Sequence, residues 1–161
     1  MSLKNEEIVI RKATIKDISS LKKMMMSIAK FERKLNSLKT ANKKTLKFFS
    51  ENLAKWLAEK DYYFFIAYSN DKPVGYIFGW KEYISEAYRN PYVGYICDCY
   101  IDEKQRGKGI SRKLFEILTS EFKKIGLKEL KLIVLSNSPA VQIWEKMGFK
   151  EEYKEMRLLL K

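Results

Sequence analysis

The residues most suited to chemistry lie in one run of the chain, residues 97–111. The run starts as a short apolar strand and ends in Arg-Gly-Lys-Gly-Ile-Ser at 106–111, directly before an amphipathic helix. Glycines in such a turn let several backbone N–H groups face one point. The start of the next helix adds its own free N–H groups and the positive end of its dipole. The run therefore predicts a binding site for a phosphate or pyrophosphate group.

The spacing of the glycines excludes two common phosphate-binding loops. Gly107 and Gly109 lie too close together for the P-loop pattern G-x-x-x-x-G-K-[ST]. The dinucleotide pattern G-x-G-x-x-G also fails, because Arg112 stands where its third glycine belongs. Taken alone, the run is also compatible with a plain strand-to-helix turn that carries a solvated basic tip.

Three segments resemble the GNAT N-acetyltransferase superfamily, and they occur in that family's order. Residues 106–111 are similar to its acyl-CoA pyrophosphate loop, R-x-x-G-x-[G/A], with Ser111 as the final small residue. Residues 137–149 are similar to its second signature, N-x-x-A-x-x-x-Y-x-x-x-G-F, with Trp144 in the position of the tyrosine. Residues 10–17 resemble its first strand and helix start. The resemblance extends over nearly the whole chain.

The resemblance implies a mixed α/β fold, the GNAT acyl-CoA N-acyltransferase fold. Its central twisted sheet is mostly antiparallel, with splayed fourth and fifth strands and about four flanking helices. Hydrophobic periodicity predicts the matching order β-α-α-β-β-β-α-β-α-β in a single domain over residues 1–161. A hairpin turned at Asn70-Asp71 joins the second and third strands. Residues 130–135 form a buried strand and residues 153–160 a final strand; residues 1–3 are compatible with a cloning remnant.

The resemblance also implies which residues bind acetyl-CoA. The backbone of Cys99, Tyr100 and Ile101 would follow the pantetheine arm, with the Cys99 N–H at the thioester oxygen, where an oxyanion develops. The N–H groups of residues 107–112 would hold the pyrophosphate. The full set implied is Cys99, Tyr100, Ile101, Arg106, Gly107, Lys108, Gly109, Ile110, Ser111, Arg112, Asn137, Trp144 and Lys146.

Four of these side chains have a second interpretation. Arg106 and Lys108 either add charge at the pyrophosphate or point to solvent. Asn137 either bonds the pantetheine arm or caps the following helix. Lys146 either reaches a phosphate of CoA or is an ordinary surface lysine.

Direct acetyl transfer to an amine needs a base, because the amine is protonated near neutral pH. The chain has no histidine, so the base must be a carboxylate, a phenol or water. Asp98 is the best candidate, since it is a lone carboxylate in an apolar strand, where burial without purpose is costly. A structural carboxylate paired with Lys or Arg is the alternative. Tyr95, Glu86 and Glu103 are weaker candidates.

Two positions depart from the family pattern. Residues 95–101 are similar to the E-D-L-Y-V run of polyamine-type members, but Cys97 replaces the first acid. Trp144 replaces a tyrosine that commonly protonates the leaving thiolate. An indole cannot act as a general acid near neutral pH, so Trp144 packs on the pantetheine or another phenol or water supplies the proton.

The function favoured is an N-acetyltransferase that moves an acetyl group directly from acetyl-CoA to a primary amine. The acceptor expected is a small molecule such as a polyamine or an amino-acid-like amine. A protein N-terminal or lysine acetyltransferase and a non-catalytic acyl-CoA-binding module are the alternatives. The fold is compatible with a homodimer, which the sequence does not specify.

The composition restricts the partners and the cellular compartment expected for the protein. The net charge of +12 would suit an acidic partner, but the lysines are spread over separate elements, which favours solvated surfaces over a nucleic-acid site. No run of 18 apolar residues occurs that would predict a membrane span. Cys97 and Cys99, expected on one face of a strand, are too close for a disulfide and form no metal site without histidine. These features favour a reduced, cytoplasmic setting and no metal.

Overall fold

The fold is a five-stranded sheet with helices on both faces. The computed structural model describes residues 7–160. The sheet order is β1-β2-β3-β4-β5, antiparallel except for the parallel pair β4–β5. The strands are β1 Ile8–Lys12, β2 Tyr62–Ser69, β3 Lys72–Tyr83, β4 Tyr92–Ile101 and β5 Leu130–Leu132, and the helices are α1 Ile18–Leu35, α2 Lys43–Ala58, α3 Ile110–Lys124 and α4 Ala140–Lys146. The mixed α/β GNAT-type architecture predicted from the sequence is thus confirmed.

The turn between β2 and β3 forms where the sequence predicts it. Asn70 and Asp71 have φ angles of 46° and 61°. Two consecutive left-handed residues are what a tight two-residue hairpin requires, and Asn and Asp tolerate that conformation best among non-glycine residues. The two residues therefore set the pairing next to the turn, as far as Tyr68 with Pro73, beyond which a one-residue irregularity shifts the register.

Two apolar layers hold the sheet between the helices. One layer joins α1 and α2 to Phe64, Ile66, Tyr76 and Phe78 of β2 and β3. The other joins α3 to the opposite face of the same strands. Because both faces of β2 and β3 are covered, their sequences are nearly continuous apolar runs rather than alternating ones.

Strand β4 loses one of its neighbours halfway along its length. Its parallel pairing with β5 involves Gly94–Ile96 of β4 and Leu130–Leu132 of β5. Beyond Ile96, β4 continues to pair with β3 on its other side as far as Ile101. The strands therefore separate after Ile96, which is the splay that the family resemblance implies.

A one-residue bulge lies in β4 where this separation begins. Gly79 pairs with Ile96 and Phe78 pairs with Asp98, so Cys97 is the extra residue. The bulge places Asp98 on the α1/α2 face, where it meets Tyr76. Cys99 packs instead against the α3 layer. The expectation that Cys97 and Cys99 share a face is therefore wrong, because a bulge interrupts the alternation that it assumed.

The predicted final strand over residues 153–160 is absent, and β5 ends at Leu132 rather than at residue 135. Met156 and Leu158 are 86% and 84% exposed. The physical reason is the shortness of β5: three residues offer too little edge to pair an eight-residue strand. Hydrophobic pattern alone predicted a strand there, but a strand also needs a partner.

The best-connected buried charge of the described chain is Asp17, before α1. It is 3% exposed, accepts two hydrogen bonds from Arg11 at 2.8 Å, and accepts others from the Thr14 N–H at 2.8 Å and the Tyr68 hydroxyl at 2.5 Å. The Arg11 guanidinium holds the pKa of Asp17 well below its usual range. This carboxylate ties β1, β2 and the start of α1 together.

We predict that Asp17→Asn lowers the free energy of unfolding by about 2 kcal/mol at pH 7, measured by urea denaturation. Because the pKa of Asp17 is depressed in the folded state, its contribution is present above the pKa of an unfolded aspartate, about 4, and is lost as the pH falls further. The two proteins should therefore converge in acid. Glu51→Gln is the control, since its pair with Lys47 is exposed and contributes little. Equal stability of Asp17→Asn and the parent at pH 7 would contradict this role.

Candidate active site

The gap between β4 and β5 exposes backbone groups of β4. The N–H of Asp102 donates to the carbonyl of Val74 on β3, at 2.8 Å. Backbone groups of an antiparallel strand alternate in direction, so Tyr100 also turns its N–H and C=O toward β3. Cys99 and Ile101 turn theirs the other way, into the gap. Of the three predicted backbone contacts with pantetheine, the geometry therefore supports Cys99 and Ile101, and not Tyr100.

Cys99 can contribute only its backbone to such a site. Its side chain packs against the α3 layer, and burial raises the pKa of its thiol to about 12. A neutral thiol is a poor nucleophile. The backbone N–H of Cys99, which faces the gap, is the group that could hold a developing oxyanion.

The loop after β4 is kept in place by two side chains that were candidates for pyrophosphate binding. Arg106 donates from Nε to the carbonyl of Ile101 at 3.1 Å, and its guanidinium lies 4.0 Å from Glu103. Lys108 donates from Nζ to Oε1 of Gln105 at 2.8 Å. Arg106 therefore joins the end of β4 to the loop, and both cations bind groups of the protein itself.

The backbone conformation at positions 107 and 109 favours glycine over any other residue. Their φ angles are 79° and 76°, in the left-handed region that side chains disfavour. A Cβ built on either glycine would meet no atom within 4 Å, so crowding is not the reason for glycine here. The space outside both glycines is open to a ligand.

Helix α3 begins directly at the second of these glycines. Gly109 is its N-cap, and the N–H of Lys113 closes the first turn by donating to the Gly109 carbonyl at 3.1 Å. The N–H groups of Ile110, Ser111 and Arg112 precede that bond and have no helical acceptor of their own. These donors and the dipole of a 15-residue helix suit an anion.

Asp98 lies at the bulge beside the gap, and its pKa is raised. Its Oδ2 accepts a hydrogen bond from the Tyr76 hydroxyl at 3.0 Å. Burial raises the pKa of Asp98 to about 6, against the hydrogen bond from Tyr76, which lowers it. The charge of Glu32 raises this pKa further and that of Lys39 lowers it. A carboxylate that is unprotonated at neutral pH but close to its pKa is well suited to accept a proton.

Sequence reasoning missed Tyr76, Glu32 and Lys39. Tyr76 is fully buried within β3, and its desolvation raises its pKa well above the usual range, so it remains a hydrogen-bond donor. A phenol in an apolar strand could have drawn attention, because a buried hydroxyl needs a partner. Glu32 and Lys39 give no such signal, since they belong to an ordinary polar helix face and the loop after it.

The other predicted residues lie at different places. Asn137 donates from Nδ2 to the Leu35 carbonyl at 3.1 Å and so links the segment before α4 to the end of α1. Trp144 packs edge-on against Phe115 and Phe149. Lys146 is exposed in the last turn of α4.

Neither interpretation of Asn137 matches this contact, and the polar group at the start of α4 is Ser138, whose Oγ accepts from the Ala140 N–H at 3.2 Å. Trp144 belongs to the α3 layer.

The weaker base candidates occupy separate positions. Glu86 accepts from the Tyr83 hydroxyl at 3.4 Å, and Glu103 pairs with Arg106. Tyr95 is half-buried on β4, and burial raises its pKa to about 12, so it keeps its proton. Among residues 7–160, no three His, Cys, Asp or Glu side chains are grouped closely enough to hold a metal ion.

The site therefore combines a left-handed glycine loop, a helix start and a strand gap with a tuned carboxylate beside it. The acetyltransferase (GNAT) domain family matches residues 29–157 of the chain. The chain belongs to the GNAT family. The matched residues include the gap between β4 and β5 and the glycine loop, so the candidate site lies within the GNAT domain.

Three solved structures share the fold over 95% of this chain. A mutant of the BH1408 protein from Bacillus halodurans has a TM-score of 0.83 at 20% identity, covering 95% of this chain and 99% of its own. A GCN5-related N-acetyltransferase from Ralstonia eutropha JMP134 has a TM-score of 0.77 at 18% identity, covering 95% and 99%. An aminoglycoside antibiotic 6′-N-acetyltransferase from Acinetobacter haemolyticus has a TM-score of 0.76 at 15% identity, covering 95% and 98%. At these identities the likeness shows the fold.

Comparison with curated protein sequences finds no match. None of the helices within residues 7–160 has the length and apolar character that crossing a membrane requires.

We predict that Tyr76→Phe raises the pKa of Asp98 above 6, because it removes a hydrogen bond that favours the carboxylate. Titration of ¹³C-labelled aspartate side chains by NMR measures this shift. Tyr63→Phe is the matched control, because Tyr63 is buried in the α3 layer on the other face of the sheet. An Asp98 pKa that stays the same or falls in Tyr76→Phe would show that the hydroxyl does not tune this carboxyl.

Proposed function

We propose that this GNAT protein is an acetyl-CoA-dependent N-acetyltransferase that acts on the primary amine of a small molecule. The observation that carries the proposal is Asp98, a partly buried carboxylate with a pKa of about 6 beside the β4 gap. The proposed base, the backbone donors of β4 and the glycine loop all lie within one continuous stretch of the chain, residues 98–112.

Acetyl-CoA would be held mainly by backbone. The N–H groups from Gly107 to Arg112 fit its pyrophosphate, since the loop is left-handed at two glycines and opens onto a helix start. The side of β4 that faces the gap at Cys99 and Ile101 has no neighbouring strand and fits the amides of pantetheine, although Arg106 already occupies the carbonyl of Ile101. Arg106 supports this arrangement by fixing the end of β4.

The reaction proposed is direct transfer. The acceptor arrives as an ammonium and gives a proton to Asp98, directly or through one water. The amine nitrogen then attacks the acetyl carbonyl carbon, and the developing oxyanion accepts a hydrogen bond from the Cys99 N–H. The C–S bond breaks, CoA leaves as a thiolate, and the nitrogen keeps the acetyl group. No step requires a metal ion.

Departure of the CoA thiolate does not require a proton from Trp144. The indole is turned toward Phe115 and Phe149, and it has no acidic proton near neutral pH. A thiolate of ordinary pKa, about 8.5, is a fair leaving group without a general acid.

A small acceptor is favoured by the contact that closes one side of the site. The Asn137–Leu35 bond ties the segment before α4 to the end of α1, beside the face that carries Asp98. Such a bridge narrows the approach, which suits a small amine better than an extended peptide. The cytoplasmic setting and an absence of nucleic-acid or membrane partners remain part of the proposal.

We predict that thiol release from acetyl-CoA is saturable with one class of small amines, tested with polyamines, amino acids, aminoglycosides and short peptides. Asp98→Asn should lower kcat/KM at least about 100-fold and leave CoA affinity unchanged. Because the base must be unprotonated, kcat/KM of the parent should rise with pH through a midpoint near 6, and Asp98→Asn should lack this limb.

Glu103→Gln is the control for the loss of a carboxylate near the loop. Undiminished turnover of Asp98→Asn across the pH range would exclude Asp98 as the base. Activity only with peptides would show that the acceptor is a protein and not a small molecule. CoA binding without turnover for any amine would favour a non-catalytic module.

We predict that Gly109→Val weakens CoA binding about tenfold or more, measured by calorimetry. A β-branched residue at a φ of 76° is strained by about 1–3 kcal/mol, and the loop relaxes away from the conformation that aligns its N–H groups. Gly126→Val is the matched control, because Gly126 has a φ of 82°, equally open surroundings and a position at the far end of α3. Equal CoA affinity of the two variants would place the pyrophosphate elsewhere.

A further inference from the structure

Three aromatic side chains form a row across the sheet, on the face that carries Asp98. Tyr62 of β2 pairs with Trp80 of β3, and Trp80 pairs with Tyr95 of β4. Tyr62 and Trp80 pack against the α1/α2 layer. The ring centroids are 5.6 Å apart for Tyr62 and Trp80 and 4.6 Å apart for Trp80 and Tyr95. Tyr62, Trp80 and Tyr95, the aromatic row, therefore share one face of three neighbouring strands.

The aromatic row lies one step along the strands from Asp98. Asp98 of β4 pairs with Phe78 of β3. Phe78 and Trp80 are two residues apart and therefore on the same face, with a rise of about 7 Å between them. Their ring centroids are 5.3 Å apart. Strand pairing and ring contact thus place the row next to the carboxyl, within the length of a small molecule.

The helices cover the aromatic side chains beside Asp98 and leave the row partly open. Phe64 and Phe78, which pair with each other, are 1% and 2% exposed. Trp56 of α2 stacks on Phe78 with its ring centroid at 5.7 Å. All three members of the row are only partly buried. A contiguous aromatic surface with a few polar groups beside it is what lines small-molecule sites.

The rings of the row stand side by side on the sheet. Their interplanar angles are 26° and 35°, and their separations are close to the strand spacing of about 4.8 Å, so neighbouring rings cover each other's faces. On the β5 side, Nζ of Lys131 lies over the Tyr95 ring, 5.8 Å from its centroid, and 3.7 Å from Oε2 of Glu82. The ring faces are thus occupied within the protein, and the ring edges remain for a ligand.

Ring edges favour one class of ligand group. An aromatic ring is negative on its face and positive at its edge, so the edges of the row attract the face of another aromatic ring. They offer no good position to an ammonium, because a cation–π contact requires an open ring face. The charge of Lys131 at the end of the row disfavours an ammonium further. The row therefore suits the aromatic part of a ligand and not its amine.

We propose that the aromatic row binds an aromatic ring of the acceptor, whose primary amine reaches Asp98 through a short alkyl chain. The inference rests on the proposed function, because it needs Asp98 to receive that amine. It narrows the acceptor to arylalkylamines and orients it, with the ring on the row and the nitrogen at the carboxyl. Linear polyamines are disfavoured, since they would bring a second ammonium to the row.

The first experiment measures binding without turnover, in the full chain with and without CoA, which has no acetyl group to transfer. 2-Phenylethylamine is compared with 2-cyclohexylethylamine, which has the same amine and chain but a saturated ring. The NMR signal of the Trp80 indole N–H, assigned with Trp80→Phe, follows binding. We expect the aromatic amine to bind about fivefold more tightly, the size of an aromatic pair beyond its buried area. A merely apolar surface predicts the reverse order, because the saturated ring has more apolar area to bury.

Two variants test whether the row makes this distinction. Tyr95→Leu should bring the ratio of the two affinities to about one, and Tyr95→Phe should keep it, because the ring remains. Tyr92→Leu is the matched control, since Tyr92 lies at the start of the same strand, pairs with Tyr83 and is 44% exposed. Equal affinities of the parent for the two amines, no binding of either, or an unchanged ratio in Tyr95→Leu would overturn the inference.

Turnover separates this inference from the proposed function. Binding in the expected order without thiol release from acetyl-CoA would uphold the aromatic site while the proposed function fails. Thiol release with equal kcat/KM for 2-phenylethylamine and 2-cyclohexylethylamine, or with the highest kcat/KM for polyamines, would do the reverse.

Discussion

The bulge at Cys97 is the constraint on which the arrangement of the site depends. Side chains of a strand alternate between faces, so one extra residue exchanges the faces of everything that follows it. Without it, Asp98 would lie under α3 and Cys99 would face α1. With it, the carboxylate reaches Tyr76 and the α1 face, while the backbone of Cys99 faces the gap. A single inserted residue thus places the candidate base, Asp98, and the candidate backbone donor, Cys99, on adjacent but different surfaces.

The sequence predicted those parts of the site that depend on local conformation. Glycines at left-handed positions, a helix start after them and the Asn70-Asp71 turn can all be recognised from neighbouring residues. The bulge could not be recognised, because it depends on pairing with β3. Glu32 was also missed, since it raises the pKa of Asp98 from a segment that is distant in sequence. The final strand was predicted wrongly because its apolar pattern says nothing about the length of the edge it needs.

Backbone contacts and side-chain chemistry are separated in this site. The groups suited to acetyl-CoA are N–H and C=O groups held by strand separation and loop conformation, and two cations of the loop bind the protein itself. Such contacts constrain conformation more than residue identity. Solved structures at 15–20% identity keep the same fold over 95% of this chain.

The high net charge opposes association of the protein through the exposed apolar side chains around Met156 and Leu158. Exposed apolar side chains and an unpaired sheet edge, such as that of β5 in the described chain, are the kinds of surface through which chains associate. A net charge of +12 makes two copies of the protein repel each other over roughly 10 Å at moderate salt. The positive charge therefore acts as an electrostatic barrier to association, and added salt weakens that barrier.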